Sequence, residues 1–240
     1  MKVLIFGGTK EGRELTLAHM RSSDDVLCCV TSEYARALLP GGARCLAQAL
    51  NAQEMRRLMR SEAPDLVVDA THPFAALATK NIRLAAARLG IPLERIQRPK
   101  SRAQDWTGDV EWAPDANAAA RALTRTAGNI LLTTGVNTLW VYAQALDKGR
   151  LYARVLPCAR SLLACEELEM PPGHVIAMQG PFTRALNAAL YDMLDIRVMV
   201  SKDSGAAGGV EEKVLPALAR EIHVIMIERP GEESVCAEKV

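Results

Sequence analysis

The stretch MKVLIFGGTKEGREL, residues 1–15, decides the fold. Residues 3–6 are a short apolar run without alternation, the pattern of a strand buried on both faces. Gly7 and Gly8 end it, and residues 11–21 continue with helical spacing. Strand, glycine turn and helix in that order open a doubly wound α/β unit.

Outward from this stretch the alternation repeats. Further apolar runs lie at 26–30, 66–70, 91–96, 130–133, 151–156, 175–178, 196–200 and 224–227. Helical patterns lie between them, at 52–62, 73–89, 116–126, 160–168, 183–194 and 209–220. NILLTTGVNTLW, residues 129–140, restarts the strand–glycine turn–helix order of the N-terminus. The polar stretch QRPKSRAQDWTGDVEWAPDANAAA before it separates two halves. The expected fold is therefore α/β, with two Rossmann-like parallel-sheet domains, 1–105 and 106–240, and room for one strand to cross between halves.

Bulk properties narrow the partners. The chain has 240 residues, 49% of them apolar, and a net charge of +1, which gives no reason to expect nucleic acid or a membrane surface. The six cysteines form no Cys-x-x-Cys pair, and the four histidines are scattered, so no metal site is expected. The reading is a cytoplasmic protein with reduced thiols, favoured as a monomer.

The opening turn fits neither standard phosphate rule. Gly7 and Gly12 take the first and third places of G-x-G-x-x-G, but Thr9 takes the second. A Walker A reading fails because Arg13 and Glu14 stand where Lys and Ser/Thr belong. What remains is a strand-to-helix turn with backbone N–H groups, a threonine hydroxyl, Lys10 and Arg13, which suits an anion. The alternative is a tight turn in which Thr9 only caps the helix. After the second strand, Ser32 and Arg36 in VTSEYAR favour a 2′-phosphate, while Glu33 opposes it.

Three more strand ends carry donors. DATHPFA places Thr71 and His72 beyond a strand, with Pro73 expected at the first helical position. LLTTGVNTLW places Thr134 and Gly135 in a turn, with Asn137 a candidate cap. VSKDSGAAGGVEEKV supplies Lys202, Ser204, Gly208, Gly209 and Lys213. QGPFTRALN repeats the glycine-to-helix arrangement, and Arg154 in YARVLP joins the set. Hydroxyls, glycines and cations at several strand ends point to a ligand with several carboxylates, to phosphates, or to both. Each site also has an ordinary reading as a turn, a cap or a solvated lysine.

Two common mechanisms are excluded. The residues four past Tyr34, Tyr142, Tyr152 and Tyr191 are Leu38, Leu146, Leu156 and Asp195, so no Tyr-x-x-x-Lys exists. Gly-x-Ser-x-Gly is absent as well.

GGTKEGREL, DATHPFAALATKNI, TTG, RVLP, QGPF, SKDSGAAGG with Lys213, and IERP occur in one order over nearly the whole chain. In that order and spacing the chain resembles the precorrin-6A reductases of cobalamin biosynthesis, cobalt-free and cobalt-containing branches alike. THPFA and KDSG with its following glycines are the specific elements. The resemblance implies an NADPH-dependent reductase that delivers hydride to a double bond of an anionic tetrapyrrole, between C18 and C19. It also implies cofactor and macrocycle in a cleft between two Rossmann-like domains. Gly12 departs from the alanine expected there.

On this reading His72 and Lys202 are candidates for proton delivery. Gly7, Gly8, Thr9, Lys10, Arg36, Thr71, Thr134 and Gly135 are assigned to NADPH. Arg13, Arg154, Ser204, Gly208, Gly209 and Lys213 are assigned to the substrate, and Phe74, Trp140 and Phe182 are candidate apolar walls. Three alternatives stay open: an NADP-binding sensor, a reductase of another anionic metabolite, and a tetrapyrrole carrier.

Overall fold

The computed structural model describes residues 1–99, 106–205 and 208–231. It divides into two compact units, one of Met1–Arg98 with the chain after Arg229, the other of Pro99–Arg229.

The first unit holds β1 (Lys2–Phe6), β2 (Asp25–Val30), β3 (Arg44–Ala47), β4 (Leu66–Asp69) and β5 (Leu93–Arg95). Its helices are α1 (Lys10–Arg21), α2 (Glu33–Arg36), α3 (Ala52–Glu62) and α4 (Ala76–Leu89). The strands are parallel in the order β3-β2-β1-β4-β5. In β1, Leu4 and Phe6 join Met55, Met59 and Ile82 from α3 and α4 in one core. Val3 and Ile5 turn the other way, toward Leu15 and Met20 of α1. Both faces are covered, which is why the run shows no alternation.

The second unit runs β6 (Val110–Ala113), α5 (Ala116–Leu123), β7 (Asn129–Leu132), α6 (Leu139–Ala145), β8 (Leu151–Val155), α7 (Ala159–Glu167) and β9 (Val175–Ala177). It continues with α8 (Arg184–Met193), β10 (Ile196–Lys202), α9 (Val210–Leu218) and β11 (His223–Ile227). The order is β6-β11-β10-β7-β8-β9, again all parallel. Leu131, Met199, Val224 and Met226 pack under Tyr191 of α8 and Val210, Val214 and Ala217 of α9.

Both sheets thus follow one plan. The chain builds outward from a central strand, β1 or β7, and then crosses to that strand's other side with β4 or β10. This reversal opens the crevice where ligands of doubly wound sheets bind. One strand breaks the sequential plan. β6 follows β5 in the chain, yet it lies beside β11 at the edge of the second sheet.

Two sequence expectations are corrected. The helix after THPFA starts at Ala76, three residues later than Pro73. Residues 72–75 form a turn closed by the Ala75 N–H on the His72 carbonyl, 2.8 Å. Asn137 does not cap α6, because its Oδ1 accepts from Arg160 Nη2 at 3.0 Å. The polar stretch between the halves also holds β6 and the Asp115 cap of α5.

Candidate functional site

The first unit's crevice lies between the ends of β1 and β4. Gly7 N–H bonds Cys29 O at 2.8 Å, so the sheet extends into the turn. Gly8 then takes φ +104, a conformation that favours glycine. The hydroxyl expected as an anion donor is turned inward. Thr9 Oγ1 donates to Ala70 O at 2.8 Å and accepts from Gly12 N at 3.1 Å, and Thr9 is buried. It caps α1 and ties the β1 turn to the end of β4.

The N–H groups of Gly8, Thr9 and Lys10 bond no other described residue. They are the free donors of the helix N-terminus. Gly12 has a geometric reason of its own. A Cβ there would stand 3.0 Å from Gly7 Cα and 3.4 Å from Ala70 Cβ, so glycine lets α1 sit close on the turn.

Around this turn three cations, Lys10, Arg13 and Arg98, face two carboxylates, Glu11 and Glu14. Glu11 would repel an anion, but Arg98 grips its carboxylate twice, Nε to Oε1 and Nη2 to Oε2, each at 2.6 Å. Burial pushes the Glu11 carboxyl up, while bonds from Arg98 and the backbone prevail and hold it below the usual range. Lys10 is exposed, with Glu14 3.6 Å away on the next turn. Arg13 makes no ion pair with a described residue.

At the end of β4, Asp69 is 1% exposed and organises the second donor turn. Its Oδ1 accepts from Thr71 N (3.0 Å), Thr71 Oγ1 (2.7 Å) and Arg95 Nη1 (2.6 Å). Thr71 is therefore held inward. The next residue, His72, is exposed, and its Nδ1 accepts from Phe74 N–H at 3.2 Å. A neutral His72 then carries its proton on Nε2. Sequence reading missed Asp69. Its signal was a carboxylate closing the apolar strand LVVD.

Ser32 caps α2 by accepting from Ala35 N, and the exposed Arg36 lies 3.5 Å from Glu33. Both residues expected at a 2′-phosphate thus have local partners.

The second unit repeats the design between β7 and β10. Lys202 Nζ donates to Thr134 O at 2.7 Å, and burial lowers its pKa from the ordinary lysine value. Thr134 is buried and accepts from Thr138 Oγ1, while Gly135 turns with φ 76 and ψ 172. Ser204 is buried, its N–H on Lys202 O at 2.7 Å. Arg229 braces this turn through Asp203 O at 2.7 Å. Gly208 N–H closes on Gly205 O at 2.9 Å, and Gly209, in the left-handed region, caps α9. Ala206 and Ala207 of this stretch, like Cys236, lie outside the described residues.

Arg154 on β8 and Lys213 on α9 are each 7% exposed. Arg154 Nη1 donates to Asn187 Oδ1 at 2.7 Å, and its guanidinium lies over the Phe182 ring at 4.4 Å. Phe182 thereby supports a cation. Trp140 is half exposed and lines a groove between α5 and α6 with Asn117, Arg121 and Gln144.

Two parallel sheets, each with turns rich in N–H and hydroxyl groups on both sides of its chain reversal, define a two-unit doubly wound α/β protein. Residues 2–240 match the family model described as Precorrin-6x reductase CbiJ/CobK, and the chain belongs to that family of oxidoreductases. Cobalt-precorrin-6A reductase of Priestia megaterium is 34% identical over 233 residues, covering 95% of this chain and 90% of its own. The Salmonella typhimurium enzyme of the same name is 34% identical over 232 residues, covering 95% and 87%. A solved structure described as CobK precorrin-6A reductase superposes with TM-score 0.78 over 96% of this chain and 89% of that one. At 23% identity it speaks to the fold. Among the described residues no helix is long and apolar enough to cross a membrane.

Proposed function

We propose that the chain reduces precorrin-6A, or its cobalt form, with NADPH, as a cytoplasmic monomer of two domains, 1–105 and 106–240. One observation carries this reading. Free N–H groups and cations gather at the strand ends of a chain that matches the reductase family over residues 2–240. Relatives named for the cobalt substrate, at 34% identity, favour the cobalt form.

NADPH supplies the hydride when bound. The residues present suit its phosphates. Backbone N–H groups of Gly8, Thr9 and Lys10 and the Lys10 ammonium would hold them, with open space where a Gly8 side chain would stand. Arg36, released from Glu33, would be the residue to meet a 2′-phosphate. In the second unit Lys202, Ser204 and the cations Arg154 and Lys213 hold acidic arms of the macrocycle. Lys202, eased toward proton release by burial, and His72 through Nε2 are the groups that move a proton. No covalent nucleophile is required, because positioning the two rings does most of the work.

The test mixes purified protein, NADPH and precorrin-6A, with and without cobalt, and follows NADPH absorbance and product mass. The expected result is NADPH loss with a two-hydrogen gain in one metal form. NADPH binding without turnover of either form would instead mean a sensor. Macrocycle binding that ignores NADPH would mean a carrier.

A further inference from the structure

Arg154 and Lys213 are two buried basic side chains that no carboxylate among the described residues pairs with. Neither forms an ion pair with a described residue, and the Lys213 ammonium has no hydrogen-bond partner among them. Both are more than nine-tenths buried. Removing a charge from water costs several kcal/mol even after relaxation, so two like charges kept together are expensive.

The surroundings hold the pair in place and do not neutralise it. Asn187 is fully buried on α8 and uses its whole amide. Its Oδ1 takes Arg154, and its Nδ2 donates to Thr183 O and Glu212 O, each at 2.9 Å. Arg154 is thus pinned to the peptide that leads into Lys213. One turn along α8, Tyr191 Oη donates to Lys213 O at 2.9 Å. Two helices and a strand therefore fix both cations from behind, through neutral groups.

Among the described residues, the charged groups that act on Lys213 are Arg154 from β8 and Glu212 on its own helix, and Tyr191 of α8 bonds its carbonyl. From β10 and β11, α9 meets Met199, Val224 and Met226. Lys202 and Asp203, at the end of β10, are engaged with Thr134 and Arg229. Burial and the Arg154 charge bring Lys213 down to about 7, against a weaker upward pull from Glu212.

We propose that Arg154 and Lys213 form a preformed seat for one carboxylate arm of the macrocycle, and that Lys213 gains a proton as the carboxylate arrives. The proposal rests on the reading above that the substrate is a precorrin with acetate and propionate arms. A guanidinium can grip a carboxylate through two parallel bonds, and the ammonium adds a third donor. The arriving negative charge restores the lysine to its charged form.

Calorimetry tests this. Wild-type protein without NADPH is titrated with precorrin-6A at pH 8 in two buffers of different ionisation enthalpy, and separately with NADP⁺. Precorrin-6A binding should take up roughly one proton, since an empty site at that pH holds a mostly neutral lysine. Lys213→Met should abolish the uptake and weaken binding about 10- to 100-fold. Arg154→Met should weaken binding comparably.

Uptake that persists in Lys213→Met, or no uptake in the wild type, overturns the seat. Uptake on NADP⁺ instead of precorrin-6A assigns the pair to a phosphate and overturns the carboxylate. The turnover assay on the same batch separates the two levels. Turnover without proton uptake sinks the seat alone. Proton uptake on precorrin-6A without turnover leaves the seat standing and sinks the reductase.

Discussion

Lys202 Nζ donates to the carbonyl oxygen of Thr134 across 2.7 Å, joining the ends of two neighbouring strands, β10 and β7. The first unit has its counterpart in Thr9 Oγ1, which donates to Ala70 O across 2.8 Å and joins β1 to β4. Each chain reversal is thus stitched by one side chain on one carbonyl. The difference is chemical. The threonine is a neutral cap, whereas the lysine places a half-buried positive charge at the strand ends.

That difference sets an expectation for Lys202→Ala. It loses one hydrogen bond, worth roughly 1–3 kcal/mol, and the fold should survive. If Lys202 moves a proton, kcat/KM should fall about 10²-fold. Steady-state kinetics beside a thermal melt checks both. Wild-type kinetics in the variant would remove Lys202 from the chemistry.

Asp69 and Arg95 give a stability expectation. Asp69 is 1% exposed, and Arg95 Nη1 is its one cationic partner among the described residues, 2.6 Å away. Arg95→Met leaves a buried carboxylate held only by Thr71. It should destabilise by about 3–5 kcal/mol, as broken buried pairs do, and Asp69→Asn by less. Urea denaturation of the two variants measures the order. Equal small losses would mean that water already reaches Asp69.

These residues also show where the sequence was readable. Strands such as β1, β7 and β11 are sandwiched between helices and announce themselves as unbroken apolar runs. β3 (Arg44–Ala47) and β6 (Val110–Ala113) are edge strands with half-exposed residues, and no run marks them. The donor turns were legible because glycine and hydroxyl residues cluster where strands end. Asp69 and Asn187 were not, because a buried polar residue becomes meaningful only when its partners appear. Those partners, Arg95 and Arg154, lie 26 and 33 residues away. The inward aim of Thr9 was invisible for the same reason, since Ala70 is 61 residues off.

Gly135 tests backbone conformation apart from space. Its φ of 76 with ψ of 172 lies in a region that is essentially glycine-only, yet a Cβ there would meet nothing within 4 Å. Gly135→Ala should therefore cost about 1–3 kcal/mol through strain alone. Gly173 is an internal control, also with open space but without a left-handed φ. Gly173→Ala should be neutral or stabilising by up to about 1 kcal/mol. Thermal melts of both variants decide. A loss at Gly173 equal to that at Gly135 would point to crowding and not to strain.

Lys213 makes stability depend on pH with a definite sign. Its folded value is about 7, against the ordinary 10.5 that the unfolded chain regains. Between those values the unfolded state binds the extra proton, so stability rises with pH across the window. Below about 7 both states are charged and the penalty is complete, and above 10.5 both are neutral and it vanishes. Lys213→Met removes the penalty. The ligand-free variant should be more stable than wild type by up to about 4 kcal/mol near pH 6.5. The advantage should shrink steadily toward pH 10. Urea midpoints of both proteins at pH 6.5, 8 and 9.5 check this. A variant that is less stable at pH 6.5, or an advantage that grows with pH, would show that Lys213 keeps its charge comfortably in the folded protein.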